Sequence, residues 1–216
     1  MKTLVSRTAE VVRKAMAGEG SGHDWWHVWR VWRLAERLAR SEAGADRRVV
    51  ALGALLHDLG DWKFHGGDEE AAPREAGRLL ARLGAPKDVI ERVQSVCREV
   101  SYKGAGVADR PSSLEARIVQ DADRLDAIGA IGVARTFAYG GAKGRSMYEP
   151  GEKPVLHRSF AAYKMSRGHT INHFHEKLLL LKGRLHTTAA RRLAKGRHAF
   201  LEQFLKRFHA EWDGRD

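Results

Sequence analysis

The chain is poor in cysteine and proline and has no long apolar run, and each scarcity removes a class of protein. One cysteine in 216 residues, Cys97, excludes an internal disulfide and fits a reducing compartment. Five prolines, with no Ser/Pro/Gln tract, exclude a largely disordered chain. No apolar stretch approaches the roughly 20 residues that a membrane span needs. The N-terminal segment, MKTLVSRTAEVVRKAMAG, alternates charge with apolar residues and lacks the continuous apolar centre of a signal peptide. A cytoplasmic protein without a membrane partner is therefore expected. Sustained period-2 alternation is missing too, as are hairpin dipeptides between β-branched runs. There is no G-x-S-x-G and no Ser/His/Asp set in context, and Gly140-Gly141-Ala142-Lys143-Gly144 lacks the strand and helix that flank a phosphate loop.

What is present is positive charge and helical periodicity. Thirty-eight Lys and Arg against 27 Asp and Glu give +11, a balance that attracts polyanions such as nucleotides or nucleic acid. Residues 177–207 carry nine basic side chains opposed only by Glu202. No aromatic residues are interleaved on that basic face for base stacking, so nucleic acid is a permitted partner but not the favoured one. A solvated helix face is the simpler account of it.

The apolar spacing predicts an all-α fold. Val89, Val93, Val96 and Val100 recur at helical intervals, with Pro86 at a first helical position. Asp24 is placed to cap a helix reaching Ala43, and Asp46 the next one, ending near Gly60. Ser112 and Glu115 read as a capping box opening a long helix through Asp123 toward Tyr139. Thr170 and Thr187 read as the starts of the last two helices, and Phe200, Phe204, Phe208 and Trp212 recur every four residues. Trp25, Trp26, Trp29 and Trp32 are expected in the core. Two stretches resist helix, a polar-aromatic loop at 60–68 and a glycine-containing one at 140–168. At 43% hydrophobic residues, the chain is long enough for one well-formed core, and a single domain is expected.

Three places carry the means for chemistry. The apolar run from Val49 to Leu56 leads directly into His57-Asp58, and burying that pair is costly unless a cation or another partner offsets the desolvation. His27 and Arg30 stand three apart on the tryptophan-rich helix and share a face. Asp121, Asp123 and Asp126 crowd three carboxylates among Ile118, Val119, Leu125 and Ile128, a repulsion that calls for positive charge. Other clusters offer less. His173 and His175 point apart on a helix, and His169 and His173 read as capping or core histidines. Cys97 lies on the valine-rich side of its helix, which favours inert packing.

The order His, then His-Asp, then Asp on an all-α background resembles the HD-domain superfamily of metal-dependent phosphohydrolases. The strings GHDWWHVWRVW, ALLHDLGDWKFHGGDEE and SLEARIVQDADRLDAIGAIGVARTFAYGG are similar to its YpgQ/YedJ-like bacterial branch. The resemblance implies an HD-domain helical bundle, with a core over about 20–139, the glycine-containing loop at 140–168 and basic helices over 169–213. It implies that His27, His57, Asp58 and Asp123 hold one divalent metal ion, whether manganese, magnesium, nickel, iron or cobalt. Asp123 is preferred to its neighbours because Ala122-Asp123-Arg124-Leu125 matches the pattern at the last ligand. Asp61 corresponds to the acidic residue that positions or deprotonates the attacking water, and Arg30 to a phosphate-contacting arginine. Lys63, His65, Lys103 and Arg124 are further cations near these positions in sequence, suited to substrate phosphates.

The implied activity is hydrolysis of nucleoside triphosphates to monophosphate and pyrophosphate by metal-activated water, and a homodimer is compatible with it. A phosphomonoesterase or cyclic-nucleotide phosphodiesterase on the same ligands is the rival enzyme. A nucleotide- or nucleic-acid-binding protein with a structural metal is the rival of another class.

Overall fold

Helix caps and apolar stripes account for most of the architecture. The structure is a computed structural model that describes residues 2–17, 24–59, 68 and 70–215, apart from the side chain of Lys164. Among the described residues there are α-helices and one 3-10 segment but no strand, as the periodicity predicts. The chain divides into two compact units, residues 1–102 with 109–123, and residues 103–108 with 124–216. The division falls at Asp123/Arg124, inside the stretch expected to form one core to about 139.

The first unit contains α1 (Leu4–Ala15), α2 (Trp25–Ala39), α3 (Arg47–Leu56), α4 (Ala71–Arg82), α5 (Lys87–Val100) and all but the end of α6 (Leu114–Asp126). The α2 helix buries Val28, Val31, Ala35 and Leu38, one stripe at three- and four-residue spacing. By contrast α3 is buried all round from Val49 to Leu56, which makes it the central helix of this unit. Val89, Val93, Val96 and Val100 form the buried stripe of α5, and Pro86 stands at its N-cap rather than inside its first turn.

Several helix ends depart from expectation. The α2 helix stops at Ala39, four residues before Ala43, because Ser41 N donates to Leu38 O (2.9 Å) in a tighter turn. Likewise α3 stops at Leu56, well before Gly60, with Leu59 N on Leu56 O at 3.1 Å. The capping box at α6 is not formed. Ser113 Oγ accepts from Ala116 N (3.0 Å), while Ser112 is held by Glu99 and Glu115 is drawn elsewhere. Nor does one helix run on to Tyr139. The break comes after Asp126, where Arg197 donates to Leu125 O (2.5 Å) and Gly129 takes φ +79°, a conformation that side chains disfavour.

The second unit contains α7 (Gly129–Ala142), the short α8 (Phe160–Lys164), α9 (Thr170–Glu176), a 3-10 segment Leu178–Arg184 and the long α10 (Thr188–Trp212). Thr187 Oγ1 caps α10 by accepting from Ala190 N (3.2 Å), and His169 Nδ1 caps α9 by accepting from Asn172 N (3.1 Å). Phe204 stacks on Phe174 at 5.4 Å between centroids and meets Phe137 edge-on at 6.0 Å. Three members of the four-residue aromatic repeat pack: Phe204 meets Phe208, and Trp212, though 47% exposed, stacks on Phe208 at 5.9 Å and meets Tyr148 edge-on at 5.0 Å, while Phe200 is 42% exposed. Stretch 140–168 is tied back by Arg145 to Ser166 O (2.9 Å) and by Thr170 N to Ser146 O (3.0 Å).

Candidate metal centre

Three helices of the first unit bring the ligand-type residues together. Asp24 caps α2 by accepting from His27 N at 2.9 Å, and His27 lies on the buried stripe, 1% exposed. At the end of α3, His57 is the first residue past the helix, and Asp58 follows it. Gly53, one turn earlier, lets that helix sit close to its neighbours. A Cβ there would lie 2.7 Å from Val96 Cγ1 of α5 and 3.5 Å from Val119 Cγ2 of α6. Asp123 comes from α6 itself.

A polar network away from the ligands fixes these helices in register. Asp46 caps α3 while its own N–H donates to Glu115 Oε1 at 2.9 Å. Arg92 of α5 donates to Asp46 (2.8 Å) and to Glu115 (3.2 Å). Burial, the largest influence on Asp46, raises its pKa. Donation from Val49 N, Arg92 and Arg48 N outweighs it, so the carboxyl titrates below its ordinary value. Farther along α6, Gln120 Nε2 donates to Glu99 O at the end of α5 (2.8 Å). Helix periodicity announces none of these long-range partners, because they join residues 21 to 69 positions apart.

The ligand-type atoms converge closely. The Nε2 atoms of His27 and His57 lie 3.3 Å apart. Asp58 reaches both rings, Oδ2 to His27 Nε2 at 3.1 Å and Oδ1 to His57 Nε2 at 3.5 Å. Asp123 Oδ1 lies 3.6 Å from His27 Nε2 and 3.8 Å from His57 Nε2. Ligand atoms of His27, His57 and Asp123 all fall within 4.8 Å of one another, the one such group among the described residues. His57 Nδ1 stands 2.8 Å from Ala54 O, a contact that requires a ring proton on Nδ1 and leaves the Nε2 lone pair facing the cluster. Two buried imidazoles and two carboxylates with oxygens toward them are the donor set a divalent ion takes. The residues fit a metal.

The α6 carboxylates separate as the helix turns. Asp123 joins the histidines. Asp126, 1% exposed, accepts from Arg135 at 3.1 Å, and Asp121 is fully buried. Arg30 is half-buried on α2, three residues past His27. Lys103 lies over the Phe160 ring at 5.5 Å within the second unit. Arg124, expected near substrate phosphates, is 2% exposed and donates to Arg184 O at 2.5 Å, also within the second unit. Its packing explains that: a guanidinium enclosed at a helix end finds its acceptor on a neighbouring carbonyl. Asp61, Lys63 and His65 lie outside the described residues.

Two expectations about packing meet different outcomes. Cys97 is 4% exposed, and burial, reinforced by the Asp58 charge, pushes its thiol up to about 12, so it is inert as expected. The tryptophans do not all enter the core. Trp25 and Trp32 are half-buried, but Trp26 is 55% exposed and Trp29 40%, because the core needs only the stripe that carries His27, Val28 and Val31.

Comparison with known proteins agrees with this geometry. Residues 25–128, which include His27, His57, Asp58 and Asp123, match the HD domain family. The uncharacterised YpgQ of Bacillus subtilis is 38% identical over 206 residues, covering 95% of this chain and 92% of that protein. The crystal structure of YpgQ in complex with ADP superposes with a TM-score of 0.72 at 34% identity, covering 96% of this chain and all of that one (100%). An HD-superfamily hydrolase of Bacillus thuringiensis gives 0.71 at 38% identity, covering 97% and 96% of the two chains. A Lactobacillus plantarum protein gives 0.88 at 34% identity, covering 99% of each. The matched segment, the near full-length likeness and the paired histidines and aspartates place this chain in the HD-domain superfamily of hydrolases.

Proposed function

We propose that this hydrolase is a divalent-metal-dependent nucleotide pyrophosphohydrolase, converting nucleoside triphosphates to monophosphate and pyrophosphate. The observation that carries the reading is the convergence of His27, His57, Asp58 and Asp123, with Arg30 three residues past His27 on the same helix. The ADP bound by YpgQ supports a nucleotide as the ligand class. The chemistry supplied by a divalent ion at these four side chains is Lewis acidity, which acidifies water and draws charge from a phosphoryl oxygen.

The protein's own groups do the rest. The Ala54 carbonyl keeps the His57 proton on Nδ1, so Nε2 is available as a donor of its lone pair. Asp58 and Asp123 supply carboxylate oxygens and negative charge that offset the charge of a divalent cation held with the two imidazoles. Asp61 is the proposed acceptor of the proton lost by water as its oxygen bonds the α-phosphorus and the bond to the bridging oxygen breaks. Arg30 donates to the α-phosphate oxygens. Lys63 and His65, soon after the doublet in sequence, neutralise the departing pyrophosphate, and Lys103 is a further cation for that task.

Hydrolysis in ¹⁸O-labelled water with manganese as the added ion tests the reading. Label in the monophosphate is the expected result. Label confined to the pyrophosphate means attack at the β-phosphorus, and release of orthophosphate alone means a phosphatase. Absence of turnover on triphosphates and monophosphates alike leaves a nucleotide-binding protein as the better reading.

A further inference from the structure

The first unit, which holds the metal-type residues, is neutral in formal charge, and the second carries the entire +11. Nineteen of the 38 Lys and Arg fall in each unit, whereas nineteen of the 27 Asp and Glu fall in the first and eight in the second. A charge that serves only solubility gains nothing from being gathered in one unit, where it adds self-repulsion. The gathering is sharpest over 177–201, which holds seven Lys and Arg and no acid. A basic stripe of this kind along a helix is the electrostatic footprint of a polyanion site.

The second unit also repeats one tripeptide, Lys-Gly-Arg, at 143–145, 182–184 and 195–197. Each of the three lysines and glycines is exposed, and each arginine donates to a backbone carbonyl of the same unit. Arg145 reaches Ser166 O (2.9 Å), Arg184 reaches Gly104 O (3.1 Å) and Val107 O (3.2 Å), and Arg197 reaches Leu125 O (2.5 Å). Gly144 has a backbone reason to be glycine, with φ +65° just past α7. Gly183 and Gly196 have none. Neither takes a positive φ, and a Cβ on either would meet nothing within 4 Å, although glycine weakens a helix such as α10. A bare glycine between two cations does allow a ligand to approach the backbone closely.

The α10 cations share a surface with one of these glycines. Arg192, Lys195, Gly196 and Ala199 are all exposed and fall within a sector of about 100°, opposite the buried Ala190, Ala194 and Leu201. Arg191 Nε donates to Leu185 O at 2.8 Å, which ties the start of the helix to the end of the 3-10 segment that carries Lys182. Phe200, 42% exposed at the edge of this face, is a single ring and too little to stack successive bases. A nucleic acid held here is held by its phosphates, and a duplex presents the denser charge, about one per 1.7 Å of its axis. We infer that the second unit binds the phosphate backbone of double-stranded nucleic acid, with Lys182, Arg192 and Lys195 as phosphate contacts and Gly196 as the point of closest approach. This binding is independent of the reaction proposed for the metal centre.

Fluorescence anisotropy of a short mixed-sequence duplex DNA, titrated with the full chain in EDTA, tests the inference. The parent is expected to bind with an affinity that falls linearly with salt on logarithmic axes. Combining Lys182→Gln, Arg192→Gln and Lys195→Gln should make that slope shallower by about one for each cation removed. The same variant should lose affinity on the order of 10²-fold at about 0.1 M salt. Removing three exposed cations of the first unit, by Arg78→Gln, Arg82→Gln and Lys87→Gln, should leave affinity and slope near the parent's. Gly196→Leu keeps every charge. It should raise the melting temperature, because leucine favours helix over glycine, and weaken binding, because its side chain fills the approach. Duplex RNA in the same assay separates the two sources of such a backbone.

No binding by the parent at low salt overturns the inference, as does an equal loss in the two triple variants. Tighter binding of a single strand than of the duplex also overturns it. Binding to phosphatidylserine vesicles without binding to duplex makes the face a lipid contact instead. Parent affinity in Gly196→Leu contradicts the close approach.

Discussion

Two groups of histidines in this protein, one buried at both rings and the other buried at His169 and half-buried at His175 and His209, differ in everything that makes a metal site. In the first unit, His27 and His57 turn their Nε2 atoms toward each other at 3.3 Å, and Asp58 and Asp123 bring carboxylate oxygens to within 3.1–3.8 Å. In the second, His169 and His209 each meet the Tyr148 ring at 5.2 Å, and His175 titrates under the influence of both. Aromatic edges surround that second group where carboxylates surround the first. Its ring-nitrogen contact is the helix cap, in which His169 Nδ1 accepts from Asn172 N. Histidine content and burial do not make a metal site. Convergence of lone pairs with compensating anions does.

The comparison breaks most readily at the ligands. His57→Ala and Asp58→Ala are expected to lose bound metal and lower turnover on the order of 10²-fold or more, exceeding the loss typical of a residue that only supports a ligand. Both sit past the end of α3, so circular dichroism should report unchanged helix. His169→Ala, with equal burial, should leave metal content by mass analysis and turnover at the parent level. Metal loss in that variant would erase the distinction between the two groups.

Arg30→Ala sharpens the contrast between holding a metal and holding a substrate. It should retain metal and lose about ten- to a hundredfold in kcat/KM for ATP, the range of a hydrogen bond to a charged group. Full activity in that variant removes Arg30 from the site. Gly53→Val tests the packing that delivers His57. The added methyl groups meet Val96, and the expected cost is about 1–3 kcal/mol, read as a lower melting temperature with metal binding weakened in step.

The smallest effect belongs to the second group. Burial lowers the His175 pKa from its ordinary 6.5, the charge of His209 and then that of His169 push the same way, and Glu176 opposes them. Below that ordinary value the unfolded chain binds a proton that the folded chain withholds. Stability should therefore fall as pH drops through the mid-sixes and be fully present above it. His175→Gln should flatten that part of the melting-temperature profile, and an unchanged slope would assign it elsewhere. At lower pH the depressed Asp46 adds its own loss, since its cap on α3 and its pair with Arg92 are present above the ordinary carboxylate pKa and vanish as pH falls through the depressed value.

Helix identity was legible in the sequence because it depends on local spacing: valines at helical intervals in α5, and Asp24, Asp46 and Thr187 placed as caps. The metal-type residues were legible through the order His, His-Asp, Asp and its resemblance to the HD-domain superfamily, since the doublet alone left a salt bridge or a cap open. What escaped was tertiary. Glu115 looked like half of a capping box, but the Asp46 N–H and Arg92 competed for it from two other helices. The tryptophans of α2 looked like core because of their size, whereas burial follows the stripe set by His27, Val28 and Val31. The break after Asp126 depended on Arg197, which lies 72 residues past Leu125 in sequence. Arg124, beside Asp123 in the chain, looked available to phosphate until its carbonyl partner at Arg184 was in place.

The central claim is that four side chains form one metal site on which hydrolysis depends, and titration of metal-stripped protein with manganese tests it most directly. The account predicts one ion bound per chain and ATP hydrolysis returning in proportion to occupancy. It also predicts an affinity reduced on the order of 10²-fold in Asp123→Ala, with the fold intact. Full turnover by the stripped protein, or an Asp123→Ala variant that binds manganese as the parent does, would contradict it.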